Sequence, residues 1–358
     1  LQPGLSIHVA EVTPDEFVKA GCRVIRQGHG YPSVFNPDCY VQELVNQGKS
    51  LEDAREGGCS GCIEVGAFGK EAYVLTGYLN TPKILEITLN NGWDPNSGKK
   101  LGLETGDPRT FTSYEQLYEA YHKQMLHFVN LKLSVNNYIE RMFALYAPAT
   151  FLSLFIDDCI TKGKDYYNGG ARYNTTYIQC TGLGTTTDCF ATIKKHVFEE
   201  KRYTMDELLT AVAANFEGHE KMRQHIMNRT PFFGNDDEYA DTIAVKVYED
   251  LVAAIKGHPN TRGGETQLNM LSTTCHNYFG SVCHATPNGR LAHFAISDGT
   301  SPAHGADTNG PTSVIKSLGK LDQTQSGGTL LNMRFIPALL KRDEDLDKLV
   351  SLIRAYFK

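Results

Sequence analysis

The sequence predicts an α/β chain, and three observations carry that reading. Apolar residues recur at helical steps of three and four, as in Leu117, Tyr121, Met125, Phe128 and Leu131. Short runs such as Gln267 to Thr274 have strand character, and Gly/Pro clusters punctuate the two kinds of segment. Because helical and strand segments alternate rather than forming blocks, a mixed α/β architecture is expected. No repeat or low-complexity linker marks a boundary, so residues 1–358 read as one unit.

Thr13-Pro14-Asp15-Glu16 opens a helix running to about Arg26, with Thr as N-cap and Glu three residues on. Gly28 to Pro37 reads as a loop, and Asp38 to Asn46 and Leu51 to Glu56 as two short helices. Thr81-Pro82 caps a helix that ends near Asn91-Gly92, where glycine supplies the left-handed residue. After a polar loop from Asp94 to Pro108, Ser113 to Leu145 forms a long helix whose aromatic stripe reads as core. Gly169-Gly170 turns into a strand, and Thr185-Thr186-Thr187-Asp188 begins a helix to Glu200, its hydroxyls read as caps. Thr204 and Glu207 form a capping box before a helix to about Phe216, followed by helices over His219 to Met227 and Glu238 to Ile255. Strands are predicted at Gln267 to Thr274, at Tyr278 to Ala285 and from Gly327 to Asn332. Tight turns fill Thr286 to Arg290 and Ser297 to Pro302, and a last helix spans Asp343 to Tyr356.

Composition narrows the function classes. With 35 basic and 41 acidic residues, a net charge of −6 and no long run of one sign, neither nucleic acid nor a membrane surface is an expected partner. Nine irregularly spaced cysteines do not form a disulfide framework, and they point to a reducing cytoplasm. Leu1-Gln2-Pro3-Gly4 has no signal-peptide character, and the apolar stretch Phe143 to Ile156 is interrupted by Pro148. That stretch is also shorter than the roughly 20 residues a bilayer requires, so a soluble protein is expected.

The stretch with the most chemistry is Gly57 to Asn80, which holds Cys59, Cys62, Glu64, Tyr78 and glycines at 57, 58, 61, 66, 69 and 77. If the backbone at Cys62-Ile63-Glu64 is extended, the Cys62 and Glu64 side chains share one side. A sulfur for nucleophilic or one-electron chemistry and an acid/base would then face one substrate. The competing readings are a zinc half-site, completed by Cys275-His276 and Cys283-His284, and a redox dithiol. The spacing fits no usual zinc signature, and Ile63-Glu64-Val65-Gly66 does not open a helix as a thioredoxin-like dithiol would. Asp157-Asp158 reads as structural, because helical neighbours point apart. Gly182-Leu183-Gly184 lacks the third glycine of a dinucleotide loop.

Gly61-Cys62-Ile63-Glu64 followed by Val65-Gly66 resembles the cysteine loop of the glycyl radical enzymes, the pyruvate formate-lyase-like family. Gly169-Gly170-Ala171-Arg172-Tyr173-Asn174, Pro287-Asn288-Gly289-Arg290 and Ser297-Asp298-Gly299-Thr300-Ser301-Pro302 match further segments of that family in order. The resemblance covers essentially the whole sequence and implies part of a ten-stranded α/β barrel built from two five-stranded half-barrels. The cysteine loop, residues 57–80, would be threaded through the centre, and residues from about 81 to 358 would form the second half-barrel.

Within the family the stretch looks most like the dehydratases acting on trans-4-hydroxy-L-proline. That likeness implies Cys62 as the thiyl carrier, Glu64 as the proton-handling group, and Tyr78 and Thr273 as substrate contacts. For Tyr78, a core tyrosine with a satisfied hydroxyl is the other reading. The product would be 1-pyrroline-5-carboxylate; glycerol, propanediol or choline eliminases are the alternatives within the family, and a metal-binding scaffold the alternative outside it. A glycyl radical outside this chain, a radical S-adenosylmethionine activating enzyme, a homodimer and an anaerobic host are implied, with no metal in this chain. The family's Arg-Val-x-Gly motif does not occur in the sequence, so a piece inactive alone is expected, lacking that motif and the N-terminal half-barrel.

Overall fold

The structure is a computed structural model that describes residues 5–60 and 62–358. Gly61 and Leu1 to Gly4 lie outside the described residues, as do the expectations placed on them. Strand β1 (Ser6–His8) is followed by α1 (Asp15–Ile25), β2 (Ser33–Phe35), α2 (Pro37–Asn46) and α3 (Leu51–Arg55). β2 pairs in parallel with β1, so the predicted loop at 28–37 contains a strand; its partner is distant in sequence, which local patterning does not reveal. Helix α1 begins one residue later than Thr13 implies, because the Thr13 hydroxyl accepts from the Ala10 amide instead of capping.

The hairpin β3 (Gly58–Ser60) and β4 (Glu64–Gly66) precedes β5 (Glu71–Asn80). Next come α4 (Thr81–Leu89), the two-residue strands β6 (Trp93–Asp94) and β7 (Lys99–Lys100), and α5 (Tyr114–Tyr146). Asn80, not Thr81, caps α4, by accepting from the Lys83 amide; the Thr81 hydroxyl is buried and donates to the Thr181 carbonyl. On α5 the buried stripe runs Leu117, Tyr121, Met125, Val129 and Leu133, whereas Leu131 is exposed. The expected stripe therefore drifts off the core face after Met125, since steps of three accumulate rotation away from it.

Short helices α6 (Thr150–Ser153) and α7 (Cys159–Lys162) lead to β8 (Tyr173–Thr181). Arg172 lies 3.6 Å from both Asp157 and Asp158, the structural role predicted for that pair. Helix α8 (Leu183–Ile193) starts directly after Gly182 and continues as one π-helical segment, Lys194–Glu199. Thr185, Thr186 and Thr187 are thus buried inside the helix rather than capping it.

Helices α9 (Met205–Ala213), α10 (Glu220–Arg229) and α11 (Glu238–Ile255) follow, then β9 (Thr266–Asn269), α12 (Cys275–Ser281), α13 (Pro311–Leu318) and α14 (Asp343–Tyr356). The capping box at Thr204 and Glu207 is present. Helix α12 (Cys275–Ser281) takes up the start of the strand expected at Tyr278 to Ala285, an ambiguity inherent to short apolar runs.

β5, β8 and β9 form a parallel sheet in that order. Segment 327–330 lies along β9 with hydrogen bonds from Gly327 N to Leu268 O, Met270 N to Gly328 O and Leu330 N to Met270 O. It is a parallel bridge rather than the strand expected at 327–332. Side-chain alternation then separates two faces. Leu79, Ile178, Cys180 and Leu268 face the main apolar core with α4, α5, α8 and α11. Tyr177, Gln179, Gln267 and Asn269 occupy the other face, and all four are buried. A buried sheet face lined with polar groups marks where chemistry is built rather than where the core is packed.

One ion pair clamps β5 to β8. Arg262 Nε lies 3.2 Å from Glu140 Oε2, with both side chains 1% exposed, and its other nitrogens donate to Ala72 O at 2.8 Å and Thr175 O at 2.6 Å. Arg262→Met removes the positive partner and leaves the Glu140 carboxylate buried without its charge. The expected loss is about 3–5 kcal/mol of stability, read as a lowered midpoint in chemical denaturation.

Candidate active site

The hairpin pairs Gly58 with Gly66, Cys59 with Val65 and Ser60 with Glu64. The chain must therefore reverse between 60 and 64, and Cys62 sits in the turn instead of on an extended strand. This corrects the expectation that a two-residue strand period aligns Cys62 and Glu64. They are neighbours for another reason: Glu64 Oε2 accepts from the Cys62 amide at 3.0 Å and the Ile63 amide at 3.2 Å. A carboxylate satisfies the turn's own donors and is held beside the thiol it curls under.

Cys62 is exposed and Glu64 buried. Burial, and after it the Glu64 carboxylate, push the Cys62 thiol up from its ordinary value, so the sulfur keeps its hydrogen at neutral pH. Cys59 instead packs with Tyr40, Leu44, Ala54 and Val65, and burial holds its thiol well above the ordinary range. The zinc alternative is not assembled: among the described residues, Cys59 and Cys62 do not converge with other metal-ligating side chains. Cys283 is engaged elsewhere, accepting from Asn80 Nδ2 at 3.5 Å.

The hairpin is fixed onto the polar sheet face. Val65 N donates to Gly327 O at 3.2 Å and Tyr177 OH to Val65 O at 2.8 Å. Ser60 and Tyr73 join their hydroxyls. Behind the hairpin, a buried ion pair of Lys49 and Glu71 at 2.9 Å and the bond from Ala67 N to Glu71 Oε2 at 2.8 Å fix the start of β5. Gln179 Nε2 reaches Glu64 Oε1 at 3.5 Å, and the Gln179 register partner on β9 is Asn269. Asn269 donates to Gly327 O at 3.1 Å while its own carbonyl oxygen is buried without a partner.

Tyr78 reaches this face through a bulge. β5 pairs Leu75 with Tyr177 and then Tyr78 with Gln179, so two β5 residues, Thr76 and Gly77, oppose the single residue Ile178. Gly77 has φ +139°, a backbone conformation that side-chain-bearing residues rarely adopt, which is why glycine suits the bulge. Lys132 donates to Thr76 O at 3.0 Å and holds the bulge open. In unbulged register the same sequence would pair Tyr78 with Cys180 and turn it toward the helices.

The Tyr78 and Thr273 hydroxyls are 2.9 Å apart. Burial pushes the Tyr78 phenol up, against the lowering effect of that hydrogen bond. Thr273 does not lie on a strand: β9 ends at Asn269, and Thr273 occupies a turn with φ +46°. Its hydroxyl also donates to the Ser272 carbonyl at 2.7 Å, a local bond that holds this unusual backbone.

Thr273, with His276, Asp298, Ser301 and Asn332, lines a cavity of about 1130 Å³. Cys62 opens on a second cavity of about 400 Å³ lined by Ile63, Leu330, Leu331 and Met333. The structure thus brings Cys62 to Glu64 and Tyr78 to Thr273, and the polar row of Gln179 and Asn269 lies alongside. Sequence reasoning missed Gln179 and Asn269. The available signal was a polar residue inside a strand that is otherwise fully buried.

The family model described as Pyruvate formate lyase-like matches residues 1–280, and that described as Glycine radical matches residues 296–358. Trans-4-hydroxy-L-proline dehydratase of Clostridioides difficile is 51% identical over 357 residues, covering 100% of this chain and 45% of that protein. The crystal structure of the Clostridioides difficile hydroxyproline dehydratase with trans-4-hydroxy-L-proline bound superimposes with TM-score 0.98 over 99% of this chain and 45% of its own. The glycerol-bound B12-independent glycerol dehydratase of Clostridium butyricum follows at 36% identity and TM-score 0.93, with 99% of this chain and 45% of that one covered. The chain spans less than half the length of these relatives. From these matches and the hairpin carrying Cys62 and Glu64, the chain belongs to the pyruvate formate lyase-like family of α/β-barrel glycyl radical enzymes.

Proposed function

We propose that the protein containing this chain removes water from trans-4-hydroxy-L-proline to give 1-pyrroline-5-carboxylate, with Cys62 as hydrogen carrier and Glu64 as proton carrier. The observation that carries this is the hairpin tip, where a protonated thiol lies beside a carboxylate anchored by the thiol residue's own amide. The choice of substrate rests on the 51% identity to the hydroxyproline dehydratase across the whole chain. Residues 57–80 act as the cysteine loop and 81–358 as the second half-barrel.

A glycyl radical, carried on a residue outside these 358 and installed by a radical S-adenosylmethionine activating enzyme, supplies the oxidising equivalent. The residues here fit such a group: Cys62 is exposed and opens on a cavity whose lining includes the apolar Ile63, Leu330, Leu331 and Met333, so its sulfur is open to a radical-bearing residue from outside these 358. As a thiyl, the Cys62 sulfur takes a hydrogen atom from the ring carbon next to the hydroxyl-bearing carbon, beside the ring nitrogen. Loss of the hydroxyl needs a proton, and the Glu64 carboxyl is placed to deliver and recover it. The departing oxygen leaves as water. The same sulfur then returns its hydrogen atom to the product radical, so one water is lost overall and the thiyl is regenerated. Tyr78 and Thr273 orient the substrate through their paired hydroxyls. A homodimer in an anaerobic cytoplasm completes the proposal; among the described residues no helix is long and apolar enough to cross a membrane.

The test offers trans-4-hydroxy-L-proline, glycerol, propane-1,2-diol and choline separately to the activated full-length protein without oxygen, with products identified by mass spectrometry. Pyrroline carboxylate from hydroxyproline alone is the expected result. Turnover of glycerol or propanediol with none of hydroxyproline would move the substrate to the alcohols while keeping the roles of Cys62 and Glu64.

A further inference from the structure

Away from the hairpin, among the helices that cover the sheet, three donors face one another where no role has been assigned. His196 lies on the π-helical segment, Glu200 just beyond it and His225 on α10. One donor atom from each lies within 4.8 Å of the other two, and among the described residues this is the only group of three such side chains. π-helical turns are rare and concentrate at functional sites.

The hydrogen bonds around the group are arranged for ligation. His196 Nε2 lies 3.0 Å from Thr230 Oγ1, which leaves Nδ1 facing Glu200 Oε2 at 2.9 Å. Without an ion, Nδ1–H donates to Glu200 and Nε2 accepts from the Thr230 hydroxyl; a cation taken up between Nδ1 and the carboxylate shifts the imidazole proton to Nε2, where Thr230 becomes the acceptor that orients the ring. Lys195 Nζ is 3.1 Å from the other carboxylate oxygen of Glu200, Oε1, so it does not occupy the oxygen that faces the imidazoles. Among the described residues His225 Nε2 is buried with no hydrogen-bond partner, and its ring centroid is 5.1 Å from that of His196. The Glu200 side chain is 42% exposed, which gives an ion a path in and room for water.

We propose that His196, Glu200 and His225 bind a divalent transition cation of the zinc class, with water completing the shell. Two imidazoles and a carboxylate suit such an ion better than calcium or magnesium, which favour oxygen ligands. Metal–nitrogen bonds of about 2.0–2.1 Å require the donors to draw closer than 4.8 Å. The His225 ring has no hydrogen bond at Nε2 to break in doing so. The ion ties the π-helical segment to α10, two elements distant from the hairpin in sequence. This departs from the sequence reading, which expected no metal in this chain.

Equilibrium dialysis of the full-length protein against Zn(II), and optical titration with Co(II), test the site in wild type, His225→Gln and Glu200→Gln, with folding of each variant checked by circular dichroism. One equivalent bound in wild type is expected, with Co(II) bands free of the thiolate charge transfer that the nine free cysteines would produce. Each variant should lose at least tenfold in affinity. No uptake by wild type would overturn the proposal, as would equal binding by both folded variants or a thiolate-dominated cobalt spectrum.

Discussion

Cys62→Ser is expected to lower turnover of the activated full-length protein below detection, while Cys59→Ser retains it. The hydroxyl O–H bond is much stronger than the thiol S–H bond, so serine at this position neither receives the radical nor takes the substrate hydrogen. Cys62 is exposed in the hairpin turn and serine is nearly isosteric with it, so the thermal midpoint should change little. Loss of activity with intact stability separates a chemical role from a structural one. Cys59 sits among Tyr40, Leu44 and Val65, and its replacement should register, if anywhere, in stability. A Cys62→Ser variant that turns over at the wild-type rate would remove the sulfur from the mechanism.

Glu64→Gln is expected to cost about 10²–10⁴-fold in kcat, the usual contribution of a positioned acid/base. The amide oxygen of the variant can still accept from the Cys62 and Ile63 amides, so the turn should survive and the loss reports on proton transfer. A second readout follows from the thiol. The Glu64 charge helps to raise the Cys62 pKa, so removing it stabilises the thiolate relative to wild type. Alkylation of Cys62 by iodoacetamide should therefore rise at a lower pH in the variant. Unchanged kcat would end the acid/base assignment, whereas an unchanged alkylation profile would show that Glu64 does not act on the sulfur.

The parts of the fold written in local chemistry were legible. Helix α11 and helix α14 fall where their apolar periodicity ended, and Thr204 with Glu207 capped α9 as read. What failed depended on distant partners. Ser33–Phe35 becomes a strand only because Ser6–His8 lies beside it, and Thr185, buried inside α8, spends its hydroxyl on the distant Ser297 amide instead of on a cap. The sequence offered Cys62, Glu64, Tyr78 and Thr273 as candidates, but the geometry joining them was misread. Strand alternation was applied across a hairpin turn at Cys62 and beyond the end of β9 at Thr273. Gln179 and Asn269 carried no motif, and only the parallel register sets them side by side.

The bulge at Thr76 and Gly77 divides β5 into two segments of opposite parity. Ahead of it odd-numbered residues face the hairpin, with Glu71 bound to the Ala67 amide and Tyr73 to Ser60; beyond it Tyr78 does so, and Leu79 returns to the apolar core. One strand thereby serves two tasks that no longer share a phase: its first half holds the hairpin, and its second half turns the Tyr78 phenol to the same face and into the bond with Thr273. Substitutions around Tyr78 can alter that polar face without disturbing the anchor of Cys62, so the strand is modular at the scale of a single residue.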